Sequence, residues 1–158
     1  MILDKQKFLR FLPAMLWMAV IFSFSAEDAA ASSQSSGNTL EFLMRLFDVD
    51  AAEDTVLYNL LILMLRKSAH LLLYTVLGIL LFFAVSGLGH VLHRSTVLVT
   101  GAIGILYAVT DEIHQYFVPG RACQWQDMLI DSTGVCLGIC IMLLLHWFAD
   151  RIRRHRAE

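Results

Sequence analysis

Charge is what this 158-residue chain has least of. Asp, Glu, Lys and Arg make up 16 % of it, where a soluble domain carries about 25 %. A domain this small has a large surface for its volume, and so few charges cannot cover it, which argues against a soluble enzyme. Proline is scarcer still: only Pro13 and Pro119 interrupt the chain, one early in an apolar run and one just past the end of another. The three cysteines, Cys123, Cys136 and Cys140, form neither a bridged framework nor a zinc pattern. Cys136 and Cys140 lie one helical turn apart in an apolar run and read as small packing residues. Cys123 reads as a loop thiol with no evident role. No internal repeat is discernible.

What fills the space is apolar. Such residues make up 58 % of the chain and the mean hydropathy is +0.64, which excludes disorder and points to lipid. Four stretches approach the roughly 17–25 apolar residues needed to cross a bilayer. They run over about 8–25, 68–87 (extendable backwards through Leu57–Leu65), 96–117 and 128–148. Backbone groups in lipid must be satisfied internally, so these are helices. The expected fold is all-α: one domain over 1–158, a membrane-embedded bundle of four transmembrane helices. The 29–38 stretch, small and polar, is expected to be a flexible loop. Leu40–Phe47 is expected to be a short amphipathic piece at the outer interface.

The net charge of −2 is segregated. Acidic residues Glu27, Asp28, Glu41, Asp48, Asp50, Glu53 and Asp54 gather between Glu27 and Tyr58, where the only basic residue is Arg45. Lys5, Lys7 and Arg10 precede the first span, and Arg151, Arg153, Arg154 and Arg156 follow the last. At span ends such basic clusters set orientation rather than contact nucleic acid, so no nucleic-acid partner is expected. Both termini and the short 87–95 turn with Arg94 are then cytoplasmic. The acidic 26–58 segment and the 118–126 loop face outside. The basic start, the apolar Phe11–Phe22 and the small residues after it also fit a cleavable signal peptide. Removing it would leave the direction of the other three helices unchanged.

Ionisable groups in membrane helices cost about 2.5–3.5 kcal/mol each near the centre, and are functional candidates by default. Lys67, His70 and Tyr74 are spaced to share one face of the second helix, continued by Gly78. Asp111, Glu112 and Gln115 cluster on the third, beyond a seam of Gly101, Gly104 and Ala108. Asp127 and Asp131 are one turn apart on the fourth, ahead of Gly134 and Gly138, whose spacing permits close helix approach. The orientation above brings these groups, with Arg121 from the 118–126 loop, to one depth at the extracytoplasmic end.

The series Arg66-Lys67-x-x-His70-x-x-x-Tyr74, Asp111-Glu112-x-x-Gln115-x-Phe117-x-Pro119-Gly120-Arg121 and Asp127-x-x-x-Asp131-x-x-Gly134-x-x-x-Gly138 resembles the VanZ-like family of small bacterial membrane proteins. Phe22-Ser23-Phe24-Ser25 and the Ser-rich segment after it resemble that family too. The likeness runs from about Phe11 to Leu145. Asp131 departs from it, since family members often carry Asn there. The resemblance implies a multi-pass membrane protein, and a named member is associated with teicoplanin resistance. It implies no particular reaction.

Three readings of the cluster follow. In the first it is a membrane hydrolase or transferase acting on an anionic lipid-linked envelope molecule. Arg121 clamps a phosphate bidentately and Lys67 adds a point charge. Glu112 or Asp111 is general acid or base, His70 an alternative proton shuttle, and Asp127 orients a base or Arg121. Tyr74, Gln115 and Asp131 complete the binding surface. Ser23 and Ser25 are the available nucleophiles, although helical serines usually bond back to the preceding turn. No cofactor is called for, and a metal held by His70, Asp111, Glu112 and Asp127 lacks a recognised ligand spacing. In the second reading the cluster binds membrane lipid or a lipoglycopeptide without chemistry. In the third the charges only pin the helices together. His114 stands beside the cluster. His90, His93, His146 and His155 fall at span ends or loops, and Trp17, Trp125, Trp147, Tyr58 and Tyr116 suit interfacial belts.

Overall fold

A computed structural model describes residues 5–48, 56–88 and 94–156. His90, His93, Asp50, Glu53 and Asp54 lie outside the described residues. Among the described residues six helices follow in order: α1 (Lys5–Leu9), α2 (Leu12–Ser25), α3 (Ala29–Phe47), α4 (Val56–Ser86), α5 (Arg94–Tyr116) and α6 (Trp125–His155). No strand occurs among the described residues. Among them four stretches are long and apolar enough to cross a membrane: Lys7–Ser25, Val56–Ser86, Arg94–Tyr116 and Trp125–His155. Leu72, Leu106 and Leu145 are examples of large apolar side chains that stay exposed in the last three of them, as lipid-facing helices require. The all-α, four-span expectation holds.

The span boundaries differ in an instructive way. The second span begins at Val56 rather than near residue 68, because Arg66-Lys67-Ser68 interrupts the run of apolar residues but not the helix. At 31 residues α4 is roughly 46 Å long, well beyond a hydrocarbon core of about 30 Å. The fourth helix likewise continues past 148, and ends on Arg153, Arg154 and His155, cations that suit a helix C-terminus. Pro13 sits in the first turn of α2, where its missing N–H costs nothing, and Arg10–Phe11 breaks the chain between α1 and α2.

The expected loop over 29–38 is instead the first half of α3, and Leu40–Phe47 continues it. Propensity alone disfavours helix in a segment so rich in Ser. Capping and docking override it. The Asp28 side chain accepts a bond of 2.7 Å from the Ala31 N–H. The Ala29 N–H reaches Pro119 O at 3.2 Å, and Leu40 is buried. The helix stops at Asp48, which adopts a left-handed conformation with φ 53°.

The core lies where α4, α5 and α6 meet, with α2 laid across it. Tyr74, Leu77, Leu81 and Phe82 of α4 pack with Ala108, Val135 and Ile139, and with Ala14 and Ile21 of α2. With lipid on the outside, helix association depends on close backbone packing rather than on the hydrophobic effect. Gly134 and Gly138 supply it. A Cβ at Gly134 would stand 2.6 Å from Leu71 O, and one at Gly138 would run into Thr75 O. The missing side chains let α6 lie directly on the backbone of α4, and this contact positions the polar groups described next.

Candidate functional site

Two turns of α4 face two turns of α6. Lys67 Nζ donates to Asp127 Oδ1 at 2.7 Å, and His70 Nδ1 lies 3.2 Å from Asp131 Oδ1. The i, i+3 spacing on α4 meets the i, i+4 spacing on α6, so the pairs stack along one seam. The first pair is partly exposed; Asp131 is fully buried. Tyr74 continues the α4 face inward, its ring 6.1 Å from that of Tyr107 and its hydroxyl buried close to Asp111.

A second network crosses from α5 to α2 and the α5–α6 connection. Ser25 Oγ donates to Asp111 Oδ2 at 2.7 Å and accepts from Gln115 Nε2 at 3.1 Å. Gln115 Oε1 accepts from Arg121 Nη1 at 3.1 Å, and Arg121 Nη2 donates to Phe24 O at 3.2 Å. The intervening Pro119-Gly120 turn explains how Arg121 gets there. Gly120 has φ 72°, and its missing Cβ leaves room for Ala29 at the start of α3. The chain reverses, and Arg121 is aimed back at the helix it has just left.

Glu112 is fully buried, and its Oε1 accepts a bond of 2.5 Å from the Gln124 N–H at the start of α6. Asp111, Glu112 and Asp131 each keep one oxygen buried and unpartnered among the described residues. Neither Asp111 nor Glu112 belongs to an ion pair there. Buried polar atoms are nearly always paired, so three such oxygens in one small volume are unusual. No three His, Cys, Asp or Glu groups among the described residues are arranged to hold a metal.

A cavity of about 470 Å³ opens beside these networks, between α2, α3 and α4. His70 and Arg121 line it, so both networks reach its wall. Arg66 lines it too, as does Glu27. Burial lowers the pKa of Arg121, the nearby Arg66 charge lowers it further, and Glu27 opposes that shift. Lys67 does not face this cavity; it borders a separate groove with Ser68, Leu71 and Thr133.

The residues singled out by sequence thus separate into the Lys67–Asp127 and His70–Asp131 seam and the Asp111–Gln115–Arg121 network. Asp127 engages Lys67 rather than Arg121. Ser23 bonds back to Ala19 O as helical serines do, but Ser25 does not: it is 2 % exposed and given over to Asp111 and Gln115. The other groups missed are Arg66 and the hydroxyls of α3. Arg66 was visible in the Arg66-Lys67 pair; the hydroxyls were hidden by the loop expectation. His114 stacks on Phe22 with centroids 4.4 Å apart, His146 Nδ1 lies 2.7 Å from Met142 O, and Trp17 Nε1 donates to Leu73 O at 2.8 Å. Trp17 is therefore a helix-packing residue rather than part of an interfacial belt.

These contacts define a multi-pass helical membrane protein with acidic and amide side chains held in its interior. Residues 10–146 match the VanZ/LLP1 family, and the chain belongs to it. No curated protein and no solved structure matches it significantly.

Proposed function

We propose that this protein binds and acts on an anionic, lipid-linked molecule of the cell envelope at the outer face of the plasma membrane. The observation that carries this reading is the position of His70, which lines the cavity and contacts Asp131. A ligand held by the arginines of the cavity would sit one side chain away from buried carboxyl groups. The sidedness is supported by the basic residues at the other end of the bundle. Arg10 lies over Phe83 near the end of α4, with its guanidinium 5.6 Å from the ring centroid, and the arginines after Asp150 close α6. In this arrangement Arg121 binds phosphate, Glu112 or Asp111 exchanges a proton with the reacting ester, and His70 relays it. Lys67, Tyr74, Gln115, Asp127 and Asp131 hold these groups in place or line the approach. Glu112→Gln protein, purified in detergent and given a polyprenyl phosphate or diphosphate, is expected to lose turnover seen with the unaltered chain. Retained turnover would remove Glu112 from the chemistry.

One observation favours a second reading, binding of a lipid or lipoglycopeptide without reaction. Asp111 and Glu112 each already spend one oxygen on a structural bond, to Ser25 and to the Gln124 N–H. Tight, saturable association with no product from the unaltered chain would establish it.

A further inference from the structure

The cavity wall formed by α3 is unlike that of a packed amphipathic helix. Ser32, Ser35, Ser36 and Thr39 fall at i, i+3, i+4 and i+7, the spacing that puts side chains on one face, and all four line the cavity. Phe42, Leu46 and Phe47 of the same helix stay exposed. The helix therefore turns hydroxyls inward at positions where apolar residues would normally pack. Ser36 and Thr39 donate to carbonyls of their own helix, leaving their oxygen lone pairs free to accept. Opposite stand Arg66 and Arg121. Arg66 forms no ion pair among the described residues, and two of the five N–H donors of Arg121 are engaged. The two cations line the same cavity, and Glu27 is the carboxylate that lines it with them. Apart from His70 and Glu27, the remaining lining is apolar and includes Trp17, Leu72, Leu73 and Val76.

We propose that this cavity binds a lipid phosphodiester with a hydroxyl-bearing headgroup, its phosphate between Arg66 and Arg121, its polyol or sugar hydroxyls against the α3 stripe, and its chain along Trp17 and Val76. The inference rests on the reading that the protein handles an anionic lipid-linked molecule, and names the class. In the lining, two arginines against one glutamate give an excess of cation that suits an anionic phosphodiester. A row of hydroxyls, each both donor and acceptor, matches hydroxyls on the ligand. The volume lies within the about 300–1,000 Å³ usual for small-molecule sites.

Trp17 provides the readout. Full-length Trp125→Phe/Trp147→Phe protein in detergent is titrated with phosphatidylglycerol brominated in its chains, with brominated phosphatidylcholine as the zwitterionic comparison. Saturable quenching of Trp17 is expected with phosphatidylglycerol, about tenfold weaker after Arg66→Gln, as for one lost charge-assisted bond, and restored in part by Arg66→Lys. Ser32→Ala/Ser36→Ala is expected to weaken phosphatidylglycerol without strengthening phosphatidylcholine. Equal quenching by both lipids, unaffected by Arg66→Gln, overturns the inference. Displacement by free glycerol phosphate at matching concentration overturns its lipid part and makes the ligand a soluble phosphate ester. The Glu112→Gln variant separates this proposal from the acid/base reading. It should quench normally while losing turnover, and normal quenching with intact turnover would leave the binding site standing and the chemistry refuted.

Discussion

Ser25, the last residue of α2, gives its hydroxyl proton to Asp111 Oδ2 at 2.7 Å, across 86 positions of sequence. Both residues are buried at 2 % exposure, and Gln115 donates to the same serine oxygen. The bond ties the end of the first span to the polar interior of α5. Ser25→Ala leaves a buried carboxylate oxygen and an amide donor each short of a partner, a loss of about 1–3 kcal/mol. Thermal unfolding in detergent checks this, and a double-mutant cycle with Asp111→Asn should return a coupling of about 0.5–3 kcal/mol. A coupling near zero would mean that the two side chains are held by other contacts.

Glu112 has two separable duties. Its Oε1 accepts from the Gln124 N–H and so secures the first turn of α6, whereas its Oε2 is unpartnered among the described residues. Gln at this position keeps a carbonyl oxygen for the Gln124 N–H but cannot exchange a proton. Leu keeps neither. Glu112→Gln is therefore expected to unfold within about 1 kcal/mol of the unaltered chain, and Glu112→Leu to lose about 1–3 kcal/mol through the unpaired N–H. Melting curves of the two variants side by side decide it. Equal losses would mean that the contact with Gln124 contributes nothing.

Much of the fold was legible because lipid simplifies the problem. With charge so scarce, the stretches at about 8–25, 68–87, 96–117 and 128–148 read as spans, and helical periodicity then puts Lys67, His70 and Tyr74 on one face. The structure pairs the first two with Asp127 and Asp131. What escaped was tertiary in origin. The helicity of 29–38 depends on the Asp28 cap and on Ala29 meeting Pro119, neither of which composition reports. Ser25 looked like any serine in an apolar helix because its partner is so distant in sequence. The extension of α4 back through Arg66-Lys67 stood only as an option, because hydropathy registers the charges and not the uninterrupted backbone. Arg66 was in plain view, but only the α3 wall gives it a role.

The contact between α4 and α6 offers a sharper test of packing. At Gly138 a Cβ would meet Thr75 O, Ile79 N and Gly78 C, all backbone atoms that cannot rotate away. At Gly101 the nearest atom is Ile139 Cδ1 at 3.9 Å, an ordinary contact. Gly138→Ala should force the helices apart and cost about 1–3 kcal/mol, the usual penalty of overpacking. Gly101→Ala should be neutral or stabilising by up to about 1 kcal/mol, because alanine is the better helix former. Opposite signs in paired unfolding measurements are the expected result. Similar losses at both sites would mean that the α4–α6 approach is looser than this geometry requires.

The proposed sidedness can be read from the chain's own thiols. Cys123, Cys136 and Cys140 are all exposed, but in different surroundings. Cys123 lies in the connection between α5 and α6, beside the Arg121 that lines the cavity. Cys136 and Cys140 face outward from the middle of a membrane span. A charged, water-soluble maleimide reaches a thiol in water but not one surrounded by hydrocarbon. A membrane-impermeant maleimide should therefore label the protein in spheroplasts at one site, and Cys123→Ser should abolish the signal. Inverted membrane vesicles should give little labelling until they are opened with detergent. The reverse pattern would put the α5–α6 connection and the mouth of the cavity in the cytoplasm. An envelope molecule presented at the outer leaflet would then be out of reach, and the ligand would have to come from the inner one.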